Sequence, residues 1–340
     1  MSEHGDGRVD GVPASGGPMI VTVTPNPSLD RTLEVDALHR GEVVRAHAVR
    51  TDAGGKGVNV SRALVANGHP SRAVLPLGGP DGEVLASLLH GLGIEVAAVP
   101  IADAVRSNVT VVEPDGTVTK LNAPGPRLSE REVEALVTRA VEAAQGASWV
   151  VASGSLAPGM PPDLYARLAA AIEAVGAQFA VDSSGPALEA VLGVGPDVVK
   201  PNEDELSEVT GSAPRTLGEV VMAAEELRDR GVVTVVVSLG ATGAVLIQDG
   251  EVLHAESDVV VPRSTVGAGD ALLAGFLAAG GEGATALAEG VAWGAAACIL
   301  PGTAVPGPHD LRRDLVRTHP VDPAQPVRPG GATAQGATSA

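Results

Sequence analysis

The chain has 340 residues, of which 44% are hydrophobic and only 1% aromatic, and its formal net charge is −18. This length suits one large domain of roughly 250–300 residues or two modest ones. With so few aromatic residues, the core has to be built from Val, Leu and Ala, which is typical of strands covered by Ala-rich helices. Because the surface is acidic, it repels phosphate backbones and anionic lipids, and we expect neither nucleic acid nor a membrane as a partner.

The single cysteine, Cys298, excludes an intrachain disulfide and a cysteine-built metal site. No signal-peptide pattern opens the chain, and no apolar run reaches the ~18–20 residues of a membrane span. These features predict a soluble, cytoplasmic protein. Residues 1–18 and 318–340 are rich in Gly, Pro and small polar residues without periodicity. We therefore expect a disordered leader and a disordered tail around one domain at 19–317.

Apolar strands and helical patterns alternate along most of that domain. In chain order the pattern predicts strand 19–24, helix 57–67, strand 72–77, helix 83–92, strand 94–99, helix 129–144, strand 149–152, helix 162–175, strands 178–181 and 197–200, helices 203–209 and 217–230, and strand 232–238. This alternation predicts an α/β fold with a mostly parallel sheet covered on both faces.

Two stretches interrupt the alternation, at about 32–49 and 107–122. The first alternates apolar and polar residues at period two, and the second contains a Pro-Asp-Gly turn at 114–116. Both are typical of antiparallel, amphipathic strands. We expect them to form a small sheet that projects over the parallel domain as a lid, and this lid is a candidate surface for a homodimer.

The most informative run is Gly267-Ala268-Gly269-Asp270, which lies directly before an apolar helical pattern. A helix N-terminus presents unpartnered N–H groups and a partial positive charge, so it attracts anions. A carboxylate at such a place does not bind the anion itself, but it can accept a proton from a nucleophile that attacks the anion. An anion hole beside a base is what phosphoryl transfer to a hydroxyl group requires.

A second glycine-rich turn, Gly54-Gly55-Lys56, precedes a predicted helix that contains Asn59. Its glycines allow close approach of the backbone to a ligand. It is not a Walker A loop, because that motif requires Gly where Arg50 stands and Ser or Thr after the lysine. Taken alone, the stretch is explained as well by a plain structural turn.

Polar residues also follow several predicted strands. Asp30 comes shortly after the first strand, where open α/β sheets bind ligands, although a turn or capping role explains it as well. Lys200 ends a later strand and is followed by Asn202 and Glu205. These two residues fit either a helix cap with favourable acids or oxygen ligands for a hydrated Mg²⁺. The Gly-rich turn 238–243 fits either a hairpin or a nucleotide contact. No pair of histidines in the sequence has the spacing of a metal site.

Together these stretches resemble the ribokinase-like (PfkB) family of carbohydrate kinases over residues 19–316. The motifs that carry the resemblance are Thr-Pro-Asn-Pro-Ser-Leu-Asp (24–30), Gly-Gly-Lys-Gly-Val-Asn-Val (54–60), Ser-Gly-Ser-Leu-Ala-Pro-Gly (153–159), Lys-Pro-Asn-Glu-Asp-Glu-Leu (200–206), Ser-Leu-Gly-Ala-Thr-Gly-Ala (238–244) and Ser-Thr-Val-Gly-Ala-Gly-Asp (264–270). The resemblance implies a three-layer α/β/α fold with a small antiparallel β lid, and ATP and Mg²⁺ as cofactors.

The resemblance also implies roles for individual residues. Asp270 would be the catalytic base, and the N–H groups of Gly267, Ala268 and Gly269 would hold the transferring phosphoryl group. The remaining assignments fall into three sets: Asp30, Gly54, Gly55, Lys56, Asn59, Arg106 and Ser155 for the phosphosugar; Lys200, Asn202, Ser238, Gly240 and Gly243 for ATP; and Asn202 and Glu205 for Mg²⁺, through water.

Within the family the chain is most similar to the 1-phosphofructokinase branch. Lys56 in the glycine turn resembles kinases of fructose 1-phosphate and tagatose 6-phosphate, whereas the fructose-6-phosphate kinases carry glycine there and lysine where Glu42 stands. The sequence 271–274, Ala-Leu-Leu-Ala, departs from the Ser-Met-Val-Ala that is common in that branch and leaves the fine specificity open. The expected reaction is ATP-dependent phosphorylation of fructose 1-phosphate. The alternatives are a tagatose-6-phosphate or fructose-6-phosphate kinase, or a non-catalytic phosphosugar-binding regulator; the few aromatic residues disfavour a nucleoside kinase.

Overall fold

The computed structural model describes residues 17–258 and 263–328 of the chain. Within these residues the strands are β1 Ile20–Val23, β2 Ser28–Glu34, β3 Ala48–Gly54, β4 Ser71–Leu77, β5 Glu95–Pro100, β6 Arg106–Val112, β7 Val118–Leu121, β8 Trp149–Ser153, β9 Gln178–Asp182, β10 Val198–Val199, β11 Thr234–Ser238, β12 Ala244–Gln248, β13 Glu251–Ser257 and β14 Val316–Pro320. The helices are α1 Lys56–Ala66, α2 Gly79–Gly91, α3 Glu130–Ala143, α4 Leu164–Glu173, α5 Gly185–Leu192, α6 Glu203–Thr210, α7 Leu217–Asp229, α8 Ala268–Ala278 and α9 Gly283–Ile299.

Ten of these strands form the central sheet, in the order β14-β13-β12-β11-β10-β9-β8-β1-β4-β5. The strands from β11 to β5 in this order are all parallel, and β12, β13 and β14 are added antiparallel at one edge. Apolar side chains of α1, α8 and α9 pack on one face, and those of α3 to α7 pack on the other. This arrangement confirms the predicted three-layer α/β/α fold with a mostly parallel sheet.

The second sheet is the predicted lid, with the order β3-β2-β6-β7. Its two outer pairs are antiparallel as predicted, and its central pair, β2 with β6, is parallel. The first two lid strands lie at the ends of the predicted stretch 32–49, because residues 35–47 form a loop that contains Gly41 at φ +86°. The lid is tied to the main domain where Arg31 and Ser107 both bind Asp81 in the first turn of α2.

Glycines bring α8 and α9 unusually close together. A Cβ on Gly275 would lie 2.7 Å from the Trp293 ring, and a Cβ on Gly290 would lie 2.9 Å from the carbonyl oxygen of Leu272. Both positions therefore require the absence of a side chain. Because α8 is held this tightly against α9, its N-terminus has a fixed position beside Lys200, at the end of β10.

The predicted disordered tail is wrong for residues 318–328. These residues complete β14 and then run along α7, where the carbonyl oxygens of Gln325 and Pro323 accept from the N–H groups of Leu217 and Gly218. Val321 and Val327 pack against the core, so apolar burial offsets the cost of ordering a Pro-rich segment. The predictions for residues 1–16 and 329–340 lie outside the described residues.

None of the helices in the described part of the chain is long and apolar enough to cross a membrane.

Candidate active site

The N-terminus of α8 begins in the Gly-Ala-Gly turn. Gly267 has φ +80°, and a Cβ built there would meet no atom within 4 Å, so the conformation rather than crowding requires glycine. Among the described residues, no hydrogen bond is made to the N–H groups of Gly269 and Asp270. The turn therefore offers the free donors that an anion needs.

Asp270 lies in the first turn of α8 and is only 6% exposed. Its Oδ2 accepts a hydrogen bond from Asn59 Nδ2 at 2.8 Å. Burial and the nearby charge of Asp182 raise the pKa of Asp270 to about 6, against the opposing effects of Asn59, Lys56 and Lys200. A carboxylate with a pKa close to neutral is suited to accept a proton and release it again.

A buried carboxylate, Asp182 at the end of β9, binds two lysines. Lys56 Nζ lies 2.8 Å from Asp182 Oδ1 and 3.1 Å from Glu205 Oε1, while Lys200 Nζ lies 3.2 Å from Asp182 Oδ2. Although burial acts in the opposite direction, these two carboxylates raise the pKa of Lys56, and the two lysines lower the pKa of Asp182. Lys56 and Asp182 are therefore both charged at neutral pH.

Asp182 is a site residue that the sequence patterns above do not indicate. The predicted strand at 178–181 ends one residue before it, and the two serines that follow are typical of a loop. The rule that polar side chains at the carboxyl ends of parallel strands form sites, which applies to Asp30, would have identified it.

Lys200 also approaches the N-terminus of α8. Its Nζ lies 3.3 Å from the position that a Cβ would take on Gly269. The ammonium group is almost fully buried, because the lysine is only 3% exposed. The lysine from the end of β10 thus adds positive charge beside the candidate anion hole.

Asn202 and Glu205 form a reciprocal capping box at the start of α6. Asn202 Oδ1 accepts from the N–H of Glu205 at 2.8 Å, and Glu205 Oε2 accepts from the N–H of Asn202 at 2.9 Å. Since Glu205 Oε1 accepts from Lys56, both carboxylate oxygens already have protein partners. In the described residues, no three His, Cys, Asp or Glu side chains cluster as a metal site would require. This donor set fits a hydrated ion held through its water molecules, which is common for Mg²⁺.

Asp30 lies on β2 of the lid, where its Oδ1 accepts from Ser28 Oγ at 2.7 Å and from Asn108 Nδ2 at 3.0 Å. Gly54 faces this carboxylate on β3, and a Cβ there would lie 2.2 Å from Asp30 Oδ2. The adjacent Gly55 has φ +118°, a conformation that favours glycine. The glycine turn therefore leaves room for the Asp30 carboxylate beside the start of α1.

Arg106, at the start of β6, binds two carbonyl oxygens. Its Nη1 donates to Ala123 at 3.0 Å and its Nη2 donates to Asn26 at 2.9 Å. The side chain thereby connects the segment after β7 to the loop after β1. Ser155 is exposed and follows Gly154, where an added Cβ would lie 3.8 Å from Lys56 Cβ.

The turn at 238–243 is joined to the start of α6. The N–H of Ser238 donates to the carbonyl of Pro201 at 3.0 Å, which places Ser238 beside Asn202. Gly240 and Gly243 have φ +52° and +91°. A Cβ on Gly243 would also collide with the carbonyl of Ala255, so this position admits only glycine. The five residues predicted to contact ATP therefore lie on two adjoining segments.

The geometry thus brings Lys56, Asn59, Lys200, Glu205 and Asp270 together, with Asp30, Gly54 and Arg106 in the lid. The sequence profile described as "pfkB family carbohydrate kinase" matches residues 24–310. The chain belongs to this family. It is a carbohydrate kinase, a phosphotransferase whose acceptor is an alcohol group.

Named relatives are similar over most of their length. A "1-phosphofructokinase" of Rhodobacter capsulatus is 40% identical over 260 residues, which cover 76% of this chain and 82% of the relative. An "ATP-dependent 6-phosphofructokinase isozyme 2" of Mycobacterium tuberculosis is 38% identical over 303 residues, which cover 88% of this chain and 89% of the relative. Among solved structures, phosphofructokinase-2 from Escherichia coli in complex with potassium matches with a TM-score of 0.81 at 35% identity. The match covers 86% of this chain and 96% of the Escherichia coli chain. The predicted ribokinase-like fold is confirmed by such matches.

Proposed function

We propose that this kinase transfers the γ-phosphoryl group of ATP to the 6-hydroxyl of fructose 1-phosphate and forms fructose 1,6-bisphosphate. The observation that carries the proposal is a buried carboxylate, Asp270, with a pKa of about 6 in the first turn of an anion-attracting helix. The names of the relatives support a fructose phosphate as the acceptor.

In the proposed reaction Asp270 orients the 6-hydroxyl and accepts its proton. The hydroxyl oxygen attacks the γ-phosphorus in line, the bond to the bridging oxygen of ADP breaks, and ADP leaves. The N–H groups of Gly267 and Gly269 and the charge of Lys200 stabilise the negative charge on the transferring group. The third predicted donor, the N–H of Ala268, donates to the carbonyl oxygen of Thr265 at 3.4 Å and would have to leave it to join them. Asp30 binds sugar hydroxyls, and the lid over the sugar excludes water from the reacting atoms.

ATP would lie along the segments that carry Lys200, Asn202 and the turn 238–243. Asn202 and Glu205 would hold Mg²⁺ through its water molecules, and the ion would neutralise charge on the ATP phosphates. The chain's own contribution at this place is the capping box, because it fixes both side chains before any ligand binds.

The choice of fructose 1-phosphate depends on Lys56 and Glu42. Lys56 lies between Asp182 and Glu205, and 37% of its side chain remains exposed, which leaves it within reach of the site. Glu42 stands in the lid loop, where a fructose-6-phosphate kinase of the family would carry lysine. The relative named as a 6-phosphofructokinase keeps fructose 6-phosphate as an alternative, and tagatose 6-phosphate is the other.

A phosphosugar panel tests this proposal. Initial rates of ADP release are measured with fructose 1-phosphate, fructose 6-phosphate and tagatose 6-phosphate. Kinetics have to decide, because fructose 1-phosphate and fructose 6-phosphate give the same product. We expect the highest kcat/KM with fructose 1-phosphate; a higher value with another sugar selects that alternative. Binding without turnover of any of the three would support a regulator, and Asp270→Asn serves as the control against contaminating kinases.

We also propose that two copies of the chain pair through their lids in the cytoplasm. The lid presents exposed apolar side chains, with Val43 83%, Val49 64% and Leu121 61% exposed. Five of the eleven exposed large hydrophobic residues in the described part of the chain belong to the lid or its loop. Apolar side chains concentrated in this way on one small sheet are typical of an interaction surface.

A further inference from the structure

Arg62 lies on α1 one turn after Asn59, and the activity described above assigns it no role. Its Nη1 donates to Asn59 Oδ1 at 3.2 Å and to the carbonyl oxygen of Ala53 at 3.2 Å. Side chains three residues apart share one face of a helix, so this contact follows directly from the spacing. Arg62 thus connects the residue that binds Asp270 to the end of lid strand β3.

The contact fixes the orientation of the Asn59 amide. An asparagine side chain has an oxygen that only accepts and an NH₂ group that only donates, whereas a guanidinium group only donates. With its oxygen held by Arg62, Asn59 turns its NH₂ group towards Asp270 Oδ2. The reversed amide would place its oxygen against a carboxylate and its NH₂ group against a guanidinium group, and both contacts are unfavourable.

We propose that Arg62 is a positioning residue that holds the Asn59 amide towards Asp270 and connects this arrangement to the lid through Ala53. Ala53 is buried and pairs with Leu29 in the lid sheet, next to the pair formed by Asp52 and Asp30. A displacement of β3 would therefore alter the same side chain that orients Asn59. The lid position and the environment of the carboxylate are coupled through two hydrogen bonds.

Arg62 remains charged in this place. Burial lowers its pKa, but the neighbouring carboxylates of Asp52 and Asp30 favour the charged form. Asn59 lies between Arg62 and Asp270, because it accepts from the guanidinium group and donates to the carboxylate. A rise in the pKa of Asp270 that also occurs when Arg62 is replaced with lysine, which keeps the charge, therefore passes through Asn59 rather than through direct charge interaction.

The first test measures Asp270 without any turnover. The Asp270 carboxyl group is titrated by carbon-13 NMR in the ligand-free protein and is assigned by its loss in Asp270→Asn. The hydrogen bond from Asn59 lowers the pKa of Asp270, so Arg62→Met is expected to raise that pKa above the value of about 6. Arg62→Lys retains the charge but lacks the planar Nη1 group that donates to both Asn59 and Ala53, so the pKa of Asp270 is expected to rise in this variant too. Arg139→Met, which removes an exposed arginine bound to Glu142, is the matched control.

The second test concerns turnover and rests on the proposed function. Arg62→Met is expected to lower kcat about tenfold and to move the acid limb of its pH profile upward, with the KM for ATP unchanged. Asn59→Ala should have the same effects, and the double variant should lose no more than Asn59→Ala alone.

An unchanged Asp270 titration in both Arg62 variants, or additive losses in the double variant, would overturn the positioning role. Absence of turnover by the unmodified protein with all three phosphosugars would instead refute the proposed function. The NMR titration would still decide the role of Arg62 in that case.

Discussion

Replacing Asp270 with asparagine should remove activity and at the same time stabilise the protein. The rise of the pKa from 3.8 to about 6 means that the ionised carboxylate costs about 3 kcal/mol in the folded state, as an upper value at about 1.36 kcal/mol per pH unit. Asparagine is neutral and nearly isosteric, so it avoids this cost. It cannot accept the proton, and the rate should fall ~10²–10⁴-fold.

The direction of this pKa shift determines how stability depends on pH. Because the pKa of Asp270 is higher in the folded than in the unfolded state, its favourable contribution is complete below pH 3.8 and is lost as the pH rises through about 6. The advantage of Asp270→Asn in free energy of unfolding should therefore be small near pH 4, increase up to about pH 6, and stay constant above pH 7.

Urea unfolding at pH 5, 6, 7 and 8, without nucleotide, measures this difference, and a coupled ADP-release assay measures activity. Asp182→Asn is the matched control, because two lysines lower the pKa of Asp182 and its removal should destabilise the protein at neutral pH. The reasoning is refuted if Asp270→Asn destabilises the protein at pH 7, or if its advantage does not change with pH.

Three further substitutions test other parts of the site. Gly54→Ala places a methyl group against Asp30 and should raise the KM for the phosphosugar about tenfold, with the KM for ATP unchanged. Gly91→Ala, which adds a methyl group in open space, should change neither constant. The same KM for the phosphosugar in both variants would show that Asp30 does not bind the sugar. Lys56→Met leaves the buried Asp182 with Lys200 alone, so the free energy of unfolding in urea should fall by about 1–3 kcal/mol. The KM for fructose 1-phosphate should also rise. An effect on stability alone would show that Lys56 does not bind the substrate. Leu121→Glu on the lid should yield a monomer in sedimentation velocity, and an unchanged mass would exclude the lid as the dimer surface.

The sequence predicted the parts of this molecule that follow from local pattern. Alternation of strand and helix implied the parallel sheet, and the position of Asp30 and Lys200 after predicted strands marked both as candidate site residues. The spacing of Asn202 and Glu205 left a helix cap and a metal site equally open. The structure contains the cap, and the metal role remains a prediction.

Features that depend on distant contacts escaped that reasoning. A local signal was missed as well, because the helix α5 begins in Ser-Gly-Pro, which resembles a turn, although proline is favourable in the first turn of a helix. Arg106 was predicted to bind the phosphosugar, but no local pattern indicates that its guanidinium group binds the carbonyls of Asn26 and Ala123. The contact between Asp182 and two lysines from other segments likewise depends on how three strand ends meet.

Because residues 318–328 pair with β13 and α7, the folded domain extends beyond residue 317. Its β14 covers the backbone edge of β13, and its carbonyls bind two N–H groups that the first turn of α7 would otherwise leave unpaired. The N–H of Arg328 also donates to Thr242 Oγ1, inside the turn proposed to contact ATP. A chain shortened to residue 317, the boundary that composition suggests, would expose a strand edge prone to pairing with other molecules. The last described residues thus contact the turn that is proposed to bind ATP, and truncation or tagging there should act on that turn first.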